Sequence, residues 1–95
     1  MRVEVTDKLE HMSSLFCQNE KTPADGLVKE IIGIYNEVNN LIDQEPDPAE
    51  KIIDPTVLGP LCGKARDAAN SSFTSPAYRA TLTKMSLWCQ DKFPW

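Results

Sequence analysis

Apolar residues recur along this chain mostly at helical spacing. Val5, Leu9, Met12 and Phe16 are separated by four, three and four positions, and Leu15 widens the row. That spacing puts them on one helix face, predicted from about residue 6 to residue 18. Just upstream, Val3 and Val5 alternate with Arg2 and Glu4. Alternation is a strand signal, but a single strand has no ladder to join, so an extended lead-in is expected there.

The strongest pattern lies between Pro23 and Gln44. Leu27, Ile31, Ile34, Val38 and Leu41 follow a four-three-four-three rhythm, while Val28, Tyr35 and Ile42 repeat every seven beside it and Ile32 broadens the face. This is the seam of a coiled coil. A helix over residues 23–44 would span about 30 Å. Gly33 costs that helix about 1 kcal/mol against alanine, which points to a close helix crossing at this position. So wide a stripe cannot stay open on an isolated helix. It belongs to the central helix of a bundle or to half of a homodimer interface.

Proline marks where helices begin. Five prolines follow a residue suited to an N-cap, in Thr22-Pro23, Asp47-Pro48, Asp54-Pro55, Gly59-Pro60 and Ser75-Pro76. A cap oxygen accepts from an orphan N–H, and proline at the first helical position loses nothing by lacking its own. Asp47 and Glu50 stand in capping-box register, as do Thr22 and Asp25. Between Glu45 and Gly59 the prolines disfavour α geometry before each of them. One turn of helix at most is expected there, at 48–53, with Ile52 and Ile53 pinning the loop to the core.

A third full helix is predicted over 60–70, with Leu61, Ala65, Ala68 and Ala69 as a narrow small-residue face and Lys64, Arg66 and Asp67 outward. "NSSFTS", residues 70–75, reads as a turn with Phe73 as its apolar anchor. Its Asn70-Ser71-Ser72 sequon reads as coincidence. The last helix is predicted over 76–92, on Tyr78, Leu82, Met85 and Cys89, with Trp88 one row over. The chain is therefore expected to be one all-α domain: a small bundle of about four helices joined by proline-rich loops, with a long central second helix. The core is expected to hold Leu9, Met12, Phe16, Leu27, Ile31, Ile34, Val38, Leu41, Leu61, Ala65, Tyr78, Leu82, Met85 and Cys89.

Size and composition narrow the function. A chain of 95 residues, 41% apolar, buries roughly two-thirds of its unfolded surface and has little room for a deep substrate cavity as well as a core. No apolar run approaches the ~20 residues of a membrane span. The N-terminus lacks the apolar stretch of a secretion signal, so the cytoplasm is the default compartment.

Net charge is −4, unevenly spread. Residues 1–61 carry twelve acids and five bases, and residues 62–95 carry five bases and two acids. Glu37, Asp43, Glu45, Asp47, Glu50 and Asp54 form the densest acidic stretch, opposed only by Lys51. Such a stretch is usually solvated, and in the sharper reading it attracts a basic partner. Nucleic acid binding over the whole surface is disfavoured, because it needs a basic footprint.

Little of the chemistry of catalysis is present. Cys17, Cys62 and Cys89 are too sparse for a disulfide framework or a zinc site, and read as buried, reduced thiols. His11 is the sole histidine; it has no relay partner in its own helix and reads as solvated. No glycine loop of phosphate-binding form occurs, and no cofactor or metal is expected. Thr22 and Ser75 precede prolines and are formal phosphorylation candidates, though capping alone explains them.

These features predict a non-enzymatic protein–protein interaction module: a small subunit, adaptor or inhibitor with a regulatory role. The expected contact surface is Tyr35, Val38 and Ile42 as apolar anchor, flanked by Asp43, Asp47 and Glu50. Phe93 and Trp95, beyond the last helical stripe, either cover the core or join that surface. Two other readings compete. One is a nucleic-acid-associated protein, through Lys64, Arg66 and Arg79, or a DNA mimic occupying a DNA-binding partner. The other is a structural fragment of a larger assembly, suggested by a chain that stops one residue after Pro94.

Overall fold

The computed structural model describes residues 3–51 and 53–92, and for Glu50 the backbone alone. Among these residues the chain forms four α-helices and one short 3-10 turn, with no strand. Helix α1 is Val3–Lys21, α2 is Asp25–Gln44, α3 is Pro55–Asn70 and α4 is Pro76–Asp91, with the 3-10 turn at Pro48–Lys51. The fold is an all-α bundle measuring 39 × 23 × 21 Å.

Neighbour relations follow from which side chains meet. α1 packs on α2 and on α3, and α4 packs on α3 and, more loosely, on α2. Glu10 and Ser13 of α1 lie beside Val57 and Pro60 of α3, while Phe16 and Glu20 lie beside Lys64 and Asp67, so α1 and α3 run parallel. Trp88 on Asn39 and Ser75 on Asp25 likewise set α4 parallel to α2. Two antiparallel helix hairpins therefore lie side by side, with α2 diagonal to α3. The connection over 45–54 must cross one end of the bundle, and Ile53, 1% exposed, plugs that end.

The apolar rows account for the core. Val5, Leu9, Met12, Leu15 and Phe16 of α1 meet Val28, Ile31, Ile34, Tyr35, Val38 and Ile42 of α2, with Leu58, Leu61 and Ala65 of α3 and Leu82, Met85 and Cys89 of α4. Leu27, Leu41 and Tyr78, expected inside, are half-buried at its margin. On α2 the inward direction thus lies nearer the Val28–Tyr35–Ile42 row than the Leu27–Leu41 row. The helix faces α1 on one side and α4 on the other, and its deepest row is the one between them.

Several local expectations are corrected. The stretch from Val3 to Val5 is helical, because Val5 sits one turn before Leu9 and is buried with it. α3 begins at Pro55, five residues before Pro60. Asp54 caps it by accepting from the Thr56 N–H at 2.9 Å, and burial of Leu58 draws the first turn onto the core. Pro60 sits within that helix on its exposed side, where the carbonyl it leaves unpaired can meet water.

α2 starts at Asp25, with Ala24 in the cap position and no side-chain cap. The buried Asn19 takes over, accepting from the Ala24 N–H at 3.0 Å. Gly33 is exposed, and a Cβ there would meet nothing within 4 Å, so no helix crosses at that point.

Candidate functional site: an apolar cleft beside Phe73

At the end of the bundle opposite Ile53, the connection from α3 to α4 reverses the usual order of loops. Thr74 is buried and Phe73 is 76% exposed. Phe73 is therefore not the apolar anchor of this turn, because the anchoring is polar. Thr74 Oγ1 donates to the Ala68 carbonyl at 2.6 Å, capping the last turn of α3. Arg79 reaches back from α4, donating from Nε to the Thr74 carbonyl at 3.2 Å and from Nη2 to the Ser71 carbonyl at 3.3 Å. The Phe73 N–H donates to Ser71 Oγ at 3.2 Å. The Ser75 hydroxyl donates to the Asp25 carboxylate at 2.9 Å, tying the start of α4 to the start of α2. Ser75 occupies the α4 cap position without making a side-chain cap bond.

This bracing holds the Phe73 ring beside a cleft of about 390 Å³. Phe16, Pro23 and Ala68 supply apolar wall, and Asn19 contributes a polar edge. Glu20 and Lys64 face each other across the rim at 3.9 Å, a separation in the loose range for an ion pair. Lys64 also donates to Cys17 Sγ, and that contact is the main cause holding its ammonium above the usual lysine range. The volume suits one or two apolar side chains of a partner or a small apolar ligand.

Of the residues read from the sequence as a contact surface, Tyr35, Val38 and Ile42 are buried at 6%, 0% and 3%. They face α1 and α4, so the apolar anchor expected of them is consumed inside the bundle. Tyr35 meets Trp88 edge-to-face with ring centroids 5.5 Å apart, and its burial pushes the phenol above its ordinary range. Asp43 and Asp47 are exposed. The Glu50 side chain, Phe93 and Trp95 lie outside the described residues, as does the choice between lid and docking peptide.

Topology also sorts charge by end. Glu4, Asp7 and Glu10 of α1 share an end with Glu37 and Asp43 of α2, the acids of the crossover, and Asp91. Lys8, Lys51 and Lys92 are interspersed among them. Lys8 is paired with Glu37 at 2.7 Å. Part of this acidity works locally. Glu45 Oε1 accepts from the Asp47 N–H at 3.2 Å, Asp47 Oδ1 from the Ala49 N–H at 3.0 Å, and Asp54 from Thr56. Acids were needed here because a proline-rich crossover leaves backbone donors without helical partners.

His11 is exposed, and among the described residues no group of three or more His, Cys, Asp or Glu side chains gathers as a metal site. Cys17 is exposed rather than buried, because its row on α1 faces the edge of α3; Cys62 and Cys89 are buried and free. No helix among the described residues is long and apolar enough to cross a membrane.

No family model matches the chain, and no curated protein or solved structure is significantly similar to it.

The candidate site residue that periodicity missed is Phe73. Its sequence signal was the mismatch of one aromatic ring in a run of Asn, Ser and Thr. That mismatch marks either an anchor or a presented ring, and only the packing of Thr74 distinguishes them.

Proposed function

We propose that this chain is a non-enzymatic protein–protein interaction module that seats an apolar segment of a partner polypeptide in the cleft beside Phe73. One observation carries the reading: a large ring is held three-quarters exposed by a loop that hydrogen bonds have already ordered. An exposed aromatic costs the free protein buried area it could otherwise gain, roughly 1.5–3 kcal/mol for a full ring. A pre-ordered loop also spares a partner the entropy of fixing it, which favours binding. Aromatic anchors beside pockets are where interface energy concentrates.

The acid-rich opposite end offers Asp43 and Asp47 to a basic surface. Its contribution is to encounter rate more than to the lifetime of the complex. A partner touching both would have to span the 39 Å length of the molecule.

The test begins with a photo-crosslinking amino acid at position 73, and at exposed His11 as control, in extract of the native host. A partner captured at 73 and not at 11 is then purified, and its affinity for wild type and Phe73→Ser is measured. The reading expects a loss of tenfold or more with an unchanged unfolding midpoint. Equal affinity for the two proteins would overturn the assignment of this cleft.

A further inference from the structure

We propose that Cys17 and Lys64 form an acyl-acceptor pair: Cys17 takes the acyl group of a small acyl thioester and passes it to the Lys64 amine, while the acyl chain lies in the cleft beside Phe73. The cleft is the one assigned above to a partner segment, but the acyl transfer requires no partner protein.

Three observations meet at this place. Cys17 is an exposed, free thiol on α1. The Lys64 ammonium reaches across from α3 and donates to its Sγ at 3.1 Å. Lys64 is also part of the wall of the cleft of about 390 Å³, whose apolar surface comes from Phe16, Pro23, Ala68 and Phe73. A nucleophilic sulfur, an amine in contact with it and an apolar hollow therefore adjoin. Glu20, one turn beyond Cys17 on the same face of α1, lies 3.9 Å from the same ammonium and holds it over that face. The Lys64 side chain is three-quarters buried, which keeps the amine near the sulfur. Such a pair suits a substrate that sulfur captures quickly and nitrogen keeps, and the hollow specifies a chain of several carbons.

The transfer proceeds in two displacements. Cys17 loses its proton to solvent, and its thiolate attacks the carbonyl carbon of the thioester. The new C–S bond forms as the old one breaks, and the small thiolate leaves and is protonated. Lys64 then loses a proton to solvent, and its neutral amine attacks the same carbonyl carbon. The C–N bond forms, the C–S bond to Cys17 breaks, the nitrogen sheds a second proton and the Cys17 thiolate is regenerated. No oxidation or reduction takes place. With Nζ already beside Sγ, a carbonyl carbon on that sulfur falls in the near-attack range of about 3–3.5 Å. The hydrogen bond to Cys17 is the main influence holding the ammonium above the usual lysine range. Acylating the sulfur weakens that bond, so the first step prepares the second.

Folded wild-type protein is incubated with hexanoyl-coenzyme A, quenched in acid and digested, and acylated residues are followed over time by mass spectrometry. Lys64 should gain the hexanoyl amide roughly tenfold or more faster than the exposed Lys29 and Lys84. Cys17→Ser, with an unchanged unfolding midpoint, should bring Lys64 down to the rate of those lysines. Lys64→Arg should stop the group at Cys17 as a thioester that hydroxylamine releases. Acetyl-coenzyme A, which offers the cleft almost no chain, should react at Lys64 roughly tenfold or more slowly than the hexanoyl thioester. The proposal is overturned if Lys64 gains the amide no faster than Lys29, if Lys21 at the cleft rim takes the group instead, or if Cys17→Ser leaves the rate at Lys64 unchanged. Equal rates with the two thioesters would overturn the cleft as the seat of the chain. Purified protein is the only macromolecule present, so these outcomes are separate from those of the Phe73 partner test.

Discussion

Trp88 donates its indole N–H to Asn39 Oδ1 at 2.9 Å, and this bond joins α4 to α2 where the two helices otherwise touch least. The Trp88 ring in turn meets the ring of Tyr35 edge-on. One half-buried amide thus organises the two large rings that fill the wider side of the bundle. Asn39→Ala should destabilise the protein by roughly 1–3 kcal/mol, because it strands a partly buried donor. In urea unfolding, a double-mutant cycle with Trp88→Phe should return a coupling of about 1 kcal/mol. Additive effects would mean the bond contributes nothing.

Gly33→Ala should raise stability by roughly 0.4–1 kcal/mol. The position is helical, exposed and open around its would-be Cβ, so alanine only removes chain entropy from the unfolded state. Destabilisation would mean that another chain packs there in solution.

Ile53→Ala should cost roughly 2–5 kcal/mol, because the side chain is the buried plug of the crossover end. Phe73→Ala should change stability by less than about 0.5 kcal/mol, despite removing a larger side chain, because its ring is exposed. Thermal and urea unfolding of the two variants together distinguish a plug from a presented ring.

Asp54 makes the start of α3 acid-sensitive. Hydrogen bonds from the Thr56 N–H and hydroxyl hold its carboxyl below the usual range. A depressed folded value means the stabilisation is complete above the unfolded value, near pH 4, and fades as pH falls through the folded one. Asp54→Asn keeps an N-cap that does not titrate. Its unfolding midpoint should fall less than that of wild type between about pH 5 and pH 2. Parallel profiles would remove Asp54 from the acid response.

Ser75→Asp should weaken the junction of α2 and α4. The hydroxyl now donates to Asp25, and a carboxylate in its place would repel that group. The unfolding midpoint should drop, and adding Asp25→Asn should restore most of it. A phosphate on Ser75 would act in the same direction, so modification here would loosen the end that carries Phe73. An unchanged midpoint would show the two groups move apart freely.

Much of the fold was legible because its causes are local. A four-three rhythm of apolar residues can bury one face only as a helix, and four such rhythms separated by X-Pro pairs can form little other than a small bundle. The candidate site was barely legible. Tyr35, Val38 and Ile42 looked like spare surface because apolarity does not say what it will pack against. Phe73 looked like an anchor because apolar residues usually are. Helix boundaries failed where a group outside the usual cap position or the packing of the core decided them, as when Asn19, five residues upstream, accepted from the Ala24 N–H and burial of Leu58 pulled α3 back to Pro55.

The amino-acid sequence by itself determined the helices, most of the core-facing rows and the acid-rich character of the crossover. These depend on the spacing of side chains along one segment and on caps a few residues away. Tertiary structure alone decided which row of α2 lies deepest, that Cys17 is exposed while Cys62 and Cys89 are buried, and that Thr74 turns in while Phe73 turns out. Each of those is a choice between two conformations of similar local energy. The tie is broken by partners about fifty positions away, through contacts such as Ser75 with Asp25 and Trp88 with Asn39.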